Sequence, residues 1–493
     1  MTRRLRYWIP IALGVLLFVL MFVINPFSVD SKALKVLAVA TLMITWWVAE
    51  AMPMPVVALV PIVLFPLMSI APIKEVVSSY ADPVIFLFMG GFMIGLAIEK
   101  WNLHKRIALS IVNFTGTSGD RIVLGFILAT GFISMWLSNT ATTMMMFPIA
   151  ASVIHVVKEN HTGKGNINYL ALTIMLAIAY ASNFGGVATI IGTPPNVAFV
   201  GYINDKYNYS VQFLDWMIIC APLAILLLLS LYVVMTKVLY PSKIASDAAT
   251  KAHIKDELQK LGPMSKPERR VLAIFLMTAL LWITKDLINE ALKIEAVVRA
   301  IGKIQLDDTM IALIGGISLF IVPSGNYNNK QESVRILEWS DTSKMAWGIL
   351  LLFGGGIALA AALDKAGLIQ MLGQWIAGIS GSNVFVLVLM ITFVSLFISE
   401  VMSNIAQVIV FSPVIAGIAD ALHMNPLLLG IPMTLGASCA SMMPMGTPPN
   451  AIVFSSGHIK LNQMVKTGFV MNIVAVILIT LFSYFLVPLL MKI

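Results

Sequence analysis

The stretch "MIICAPLAILLLLSLYVVM", residues 217–235, runs the length of a bilayer crossing without a single charge. In hydrocarbon every backbone N–H and C=O must be bonded within the chain, so a lone run of this kind has one stable form, a membrane-spanning helix. Similar runs recur from end to end. They place spans at about 7–25, 34–51, 53–70, 83–100, 169–183 with 187–200, and 213–236. Further spans fall at about 271–288, 308–324, 346–363, 426–440 with 449–456, and 467–490. Only 11% of the 493 residues are charged, whereas a soluble protein carries about a quarter. The pattern predicts an all-α polytopic membrane protein with about eleven transmembrane helices.

Two further apolar segments, 121–154 and 383–420, break in the middle on polar residues, at "LSNTATT" (137–143) and "MSNIAQ" (402–407). Each is too long for one straight span and too short for two, which predicts a re-entrant hairpin that enters and leaves on one side. With a cytoplasmic N-terminus, about two thirds of the 32 Lys and Arg residues fall on the inner side, as the positive-inside rule requires. The net charge of +8 then reports topology and no nucleic-acid partner. The basic start is read as part of a retained first helix (1–33), because no small-residue cleavage site follows it. The basic stretch 241–270 reads as a cytoplasmic linker carrying an amphipathic surface helix. Cys220 and Cys439 offer neither a disulfide framework nor metal-ligand spacing.

The chain also repeats itself. "GGFMIGLAIEKWNL" (90–103) aligns with "GGIALAAALDKAGL" (355–368), and "ISMWLSNTATTMMMFP" (133–148) with "ISEVMSNIAQVIVFSP" (398–413). "GTPPNVAFV" (192–200) aligns with "GTPPNAIVF" (446–454). The repeats span 34–240 and 271–493. Each holds five spans and a hairpin, an odd number of crossings, so the copies enter the membrane from opposite sides. Inverted repeats typify secondary transporters but occur in channels too.

Ser and Asn favour helix N-caps, so each hairpin turn aims the positive end of its returning half-helix at the midplane. Gly-Thr-Pro-Pro-Asn breaks a helix and frees the carbonyls upstream, which predicts unwound segments at 192–196 and 446–450. Arg, Lys and His are absent from these segments. An anion there would be held by helix N-termini, hydroxyls, amides and bound cations. Oxygen ligands without a carboxylate suit Na⁺, and two near-symmetric half-sites suit a substrate with two carboxylates. Glu99-Lys100 and Asp364-Lys365 read as interfacial ion pairs at span ends, while Glu400 is open to a coupling or a structural role. The signatures of zinc, serine and aspartyl hydrolases are absent, so an enzyme is not expected.

The doubled Ser-Asn and Thr-Pro-Pro-Asn motifs resemble the divalent anion/sodium symporter family. So do the longer strings "IFLFMGGFMIGLAIEKWNLHKRIAL" and "ASCASMMPMGTPPNAIVFSSGHI". The resemblance implies a homodimer in the cell membrane, with scaffold domains and transport domains that move elevator-fashion. It implies Na⁺-coupled import of C4-dicarboxylates (succinate, malate, fumarate). Alternatives are a Na⁺-independent exchanger such as succinate/2-oxoglutarate, a citrate transporter or an anion channel. One Na⁺ site would use Ser134, Ser138, Asn139 and Gly192, and the other Ser399, Met402, Asn404 and Gly446. Met402 and the glycines would contribute backbone carbonyls. Substrate carboxylates would meet Ser138, Asn139, Thr140, Thr193 and Pro194 from one half, and Ser403, Asn404, Thr447 and Pro448 from the other. One departure stands out: Ile405 occupies the place of Thr140 and lacks its hydroxyl.

Overall fold

The computed structural model describes residues 3–26, 28–160, 166–207, 211–242, 244, 248–293, 305–327, 333–371 and 383–490. Parts of the basic linker, including Lys243, lie outside the described residues. The first half opens with α1 (Arg3–Ile24), α2 (Ser31–Val48), α3 (Met54–Val57), α4 (Val60–Leu67), α5 (Ile73–Ser78), α6 (Pro83–Lys100) and α7 (Leu103–Thr115). A hairpin of α8 (Gly119–Ser134) and α9 (Asn139–Asn160) follows, then α10 (Ile167–Gly186), α11 (Pro194–Tyr207) and α12 (Phe213–Val233). The linker holds α13 (Ala248–Lys260).

The second half runs through α14 (Lys266–Leu292), α15 (Asp308–Ile321), a small antiparallel pair β1 (Pro323–Tyr327) and β2 (Ser333–Arg335), and α16 (Trp347–Lys365). Its hairpin is α17 (Val384–Ser399) and α18 (Asn404–Ala421), followed by α19 (Pro426–Ser438), α20 (Pro448–Phe454), α21 (Leu461–Phe485) and α22 (Val487–Leu490). Among the described residues nine helices are long and apolar enough to cross a membrane, and shorter apolar helices such as α15, α17 and α19 add to them. Both halves share one order near the centre: helix, polar turn, helix, then a helix that breaks and resumes.

Short polar side chains start many of these helices, as the four free N–H groups of a helix end require. Asp30, Asp82, Asn166, Asp307, Asn383 and Asn425 each accept a bond from a first-turn amide. One expected span differs. The apolar run 53–70 is two short helices, α3 and α4, because Pro61 has no N–H to continue the ladder and sits instead in the first turn of α4.

The core is centred on α10 and α19. Every residue of α10 from Leu170 to Gly186 is buried, and α19 is buried almost all round. A helix without a solvent or lipid face belongs inside the bundle, so any polar group it carries has been placed there against the hydrophobic gradient. Helices approach closely where side chains are absent: a Cβ on Gly90 of α6 would lie 2.5 Å from the Ala312 backbone of α15.

Charged residues at the span ends pair across elements. Lys100 meets Asp341 at 2.6 Å, Lys206 meets Asp364 at 3.1 Å, and Lys365 meets Glu75 at 2.5 Å. Arg106 of α7 binds Glu268 at 2.9 Å, and Glu268 also closes a capping box with Ser265 at the start of α14. Both side chains are largely buried, so removing one partner strands the other's charge. Arg106→Ala is expected to cost about 3 kcal/mol, read as a clear fall in the apparent Tm of the detergent-solubilised protein. Lys293→Ala, at an exposed pair with Glu290, is expected to leave Tm unchanged.

Candidate functional site

The broken helices define the site. The unwound stretches expected at 192–196 and 446–450 lie earlier in the chain. Helix α10 ends at Gly186 and α11 begins on Pro194; α19 ends at Ser438 and α20 begins on Pro448. Proline favours the first turn of a helix, where its missing N–H would have no partner anyway. The two prolines therefore start the returning half-helix, and the freed carbonyls belong to 187–193 and 439–447. The Asn of each motif ties its loop together. Asn196 Nδ2 donates to Thr189 O at 2.9 Å and Asn450 Nδ2 to Met443 O at 3.1 Å. Gly192 N donates to Thr189 Oγ1 at 3.0 Å, which holds that loop closed.

Each hairpin turn leans, through the same contacts, on the last turn of the helix that ends at the break. Ser134 Oγ lies 2.9 Å from Asn139 Oδ1 and 2.8 Å from Ser182 O. In the second half Ser399 Oγ lies 2.7 Å from Asn404 Oδ1 and 2.6 Å from Ala437 O. The first cluster includes Gly192 O, and only glycine leaves it room. A Cβ on Gly186 would fall 2.3 Å from Asn139 Oδ1, and one on Gly192 would fall 2.3 Å from Gly186 O.

The Asn139 amide can present either end to this cluster, and the two orientations make opposite demands. With Nδ2 inward it donates to Ser134 Oγ at 2.9 Å, Ser182 O at 3.0 Å and Gly192 O at 3.2 Å. With Oδ1 inward it accepts from Ser134 Oγ at 2.9 Å but faces the carbonyl oxygens of Ser182 and Gly192, so Nδ2 inward is the better-bonded arrangement.

The expected residues differ in exposure. Ser134, Ser399, Gly192, Gly446, Thr193 and Thr447 are buried. Ser138, Asn139, Thr140, Pro194, Met402, Ser403 and Asn404 are half-buried, and Pro448 is exposed. Ser138 caps α9 by accepting from Ala141 N at 3.3 Å, whereas Ser403 caps α18 without a side-chain bond. Ile405 packs on the apolar core. A cleft of about 90 Å³ reaches Ser138, with Trp136, Glu99 and Lys344 in its walls. The reachable hydroxyls and amides at the helix starts can hold carboxylates, while the buried oxygens behind them can hold cations.

Two side chains complete the site beyond the expected set. Glu400, 4% exposed, accepts from Ser441 N at 2.8 Å and from Met442 N and Met443 N at 2.9 Å. Asn472 Nδ2 donates to it as well, at 2.6 Å. Its carboxylate anchors the loop 439–447, so of the two roles left open for it the structural one is visible. Asn183, fully buried on α10, accepts from Asn139 Nδ2 at 3.4 Å and donates to Thr447 Oγ1 at 3.3 Å. It joins a residue of one half to a residue of the other. The adjoining Ser182-Asn183 pair in the long buried stretch Leu170–Gly186 was the available signal.

Comparison with known proteins places this architecture. The model of the sodium:sulfate symporter transmembrane region matches residues 4–493. The sodium-dependent dicarboxylate transporter SdcS of Staphylococcus saprophyticus is 37% identical over 97% of this chain and 91% of its own length. SdcS of Staphylococcus aureus (strain USA300) is 38% identical over 98% of this chain and 92% of its own. Among solved structures, MtrF of Neisseria gonorrhoeae superposes with a TM-score of 0.59 at 11% identity, covering 97% of this chain and 96% of its own. The YdaH transporter of Alcanivorax borkumensis gives 0.56 at 14% identity, covering 83% and 87%. These two share the fold. The full-length match and the identity to SdcS go further: the chain belongs to the sodium:sulfate, or divalent anion/sodium, symporter family, and is a multi-pass membrane transporter and not an enzyme.

Proposed function

We propose that the protein is a Na⁺-coupled symporter that imports C4-dicarboxylates such as succinate, malate and fumarate across the cell membrane. The observation that carries this reading is the cluster of hydroxyl, amide and carbonyl oxygens around Ser134 and Asn139, together with its counterpart around Ser399 and Asn404. One Na⁺ sits with Ser134, Ser138, Asn139 and Gly192, and the other with Ser399, Met402, Asn404 and Gly446. The substrate carboxylates meet Ser138, Asn139, Thr140, Thr193 and Pro194 on one side, and Ser403, Asn404, Thr447 and Pro448 on the other. Bound cations offset the negative charge of the substrate beside motifs that carry no Arg or Lys of their own, so each ligand favours the other. The relatives named as sodium-dependent dicarboxylate transporters support the same pairing.

The protein works as a homodimer with its N-terminus in the cytoplasm. Its hairpins and broken helices belong to a transport domain that slides elevator-fashion past a scaffold. Ile405 removes a hydroxyl from the second half-site and so disfavours a third carboxylate. Reconstituted into proteoliposomes, the protein is expected to accumulate labelled succinate under an inward Na⁺ gradient, with malate and fumarate competing and citrate competing weakly. Accumulation that persists when K⁺ replaces Na⁺ would identify an exchanger instead.

A further inference from the structure

Helices α11 and α18 meet α16 at one end of the bundle. Lys206, near the end of α11, donates to Asp364 of α16 at 3.1 Å and lies 3.3 Å from Asp420 of α18. Its side chain is only 11% exposed. Tyr207 donates to the same Asp420 at 2.8 Å, and Gln370 donates to Asp364 at 3.1 Å. If the Lys206–Asp364 bond is broken, Lys206 keeps Asp420 and Asp364 keeps Gln370. Parting this pair therefore strands no charge, which is the main cost of breaking a buried ion pair.

In the alignment of the two halves Glu99 stands opposite Asp364, and Lys460 stands opposite Lys206. The odd number of crossings in each half puts such equivalents on opposite faces of the membrane. The second pair is apart: Glu99 and Lys460 are both exposed, and neither forms an ion pair among the described residues. The helix faces beside the two pairs differ in the same sense. Gly91 and Phe92 of α6 line the open cleft of about 90 Å³, in whose wall Glu99 stands. Their counterparts Gly356 and Ile357 of α16 leave about 10 Å³ against Val197 and Tyr202 of α11. One face is shut with its ion pair made, and the other is open with its ion pair apart.

We propose that Lys206 and Asp364 form a latch that holds the broken helix and hairpin against α16, and that Lys460 and Glu99 are its counterpart, paired when the cleft beside Ser138 closes. The latch rests on the sliding transport domain proposed above and names the side chains that hold it at each end of its travel.

The test places spin labels on Lys105→Cys and Ser455→Cys, exposed positions a few residues from Glu99 and Lys460, and reads their separation in liposomes by pulsed electron paramagnetic resonance. Cys220 and Cys439 are buried and stay unlabelled. The otherwise unaltered protein is expected to show a long and a short separation. Asp364→Asn, which leaves Lys206 paired with Asp420, is expected to raise the short-to-long ratio about fivefold, the upper range for a partly exposed ion pair. Glu99→Gln is expected to lower the ratio by a similar factor, because it weakens only the state in which the cleft is closed. Lys206→Gln is expected to act like Asp364→Asn, and serves if that variant fails to elute as folded protein on gel filtration. A ratio unchanged in either variant, or shifted the same way in both, would overturn the latch. A single separation in the unaltered protein, with and without Na⁺ and succinate, would overturn the sliding domain itself, and the latch would fall with it.

Discussion

Replacing Asn139 or Asn404 by alanine is expected to abolish sodium-driven succinate uptake while leaving a folded, membrane-inserted protein. Each amide serves a cation and a carboxylate in the proposed site. A hydrogen bond to a charged group is worth about 1.5–3 kcal/mol, or roughly ten- to a hundredfold in affinity. Losing both contacts at once takes transport below detection. Folding is spared because both side chains are only half-buried and helices α9 and α18 keep Ser138 and Ser403 at their starts. Initial uptake rates, set beside the gel-filtration profile of each variant, check both parts. Near-normal uptake by either variant would refute the site.

The second large effect is expected at Glu400. Its two oxygens gather three backbone N–H groups and the Asn472 amide, and these bonds give the loop 439–447 its shape. Glu400→Gln preserves volume but turns one acceptor oxygen into a donor. The new NH₂ must face either Met443 N–H or the Ser441 and Met442 pair, and donors cannot bond donors. Gly446, whose carbonyl belongs to the second proposed Na⁺ site, lies on that loop; a Cβ there would stand 3.0 Å from Glu400 Oε2. The Gln variant is therefore expected to need about tenfold more Na⁺ for half-maximal uptake, the equivalent of one lost charge-assisted bond. Glu400→Ala, which leaves every donor unpaired, is expected to lower the apparent Tm as well. A sodium titration of uptake, run with a thermal melt, separates the two variants. Wild-type sodium dependence in Glu400→Gln would show that the loop does not need the carboxylate.

Much of the fold is legible in the sequence because a membrane leaves the backbone few choices. The span expected at 83–100 coincides with α6, and the two hairpins are found with their turns on Ser138 and Ser403. The prolines are a different matter. Their presence announces a break, but whether they lie inside it or just after it depends on where the next helix starts, and they start it. α7 carries three basic side chains and reads as loop; it is a helix because Leu103, Ala108, Leu109 and Val112 bury one face. The repeat reveals Ser134 and Ser399 as equivalents, since both use the same two contacts. It cannot reveal Asn183 or Glu400, whose repeat partners differ: Met135 stands opposite Glu400 in the alignment. Both reach the loop 439–447, a proximity that only the folded chain creates.

The most direct measurement follows labelled sodium and labelled succinate together in one set of proteoliposomes. The expected result is that each enters only when the other is present, in a constant ratio, and that Asn139→Ala and Asn404→Ala stop both. Succinate that enters at full rate without any accompanying sodium would contradict the coupled, two-fold site.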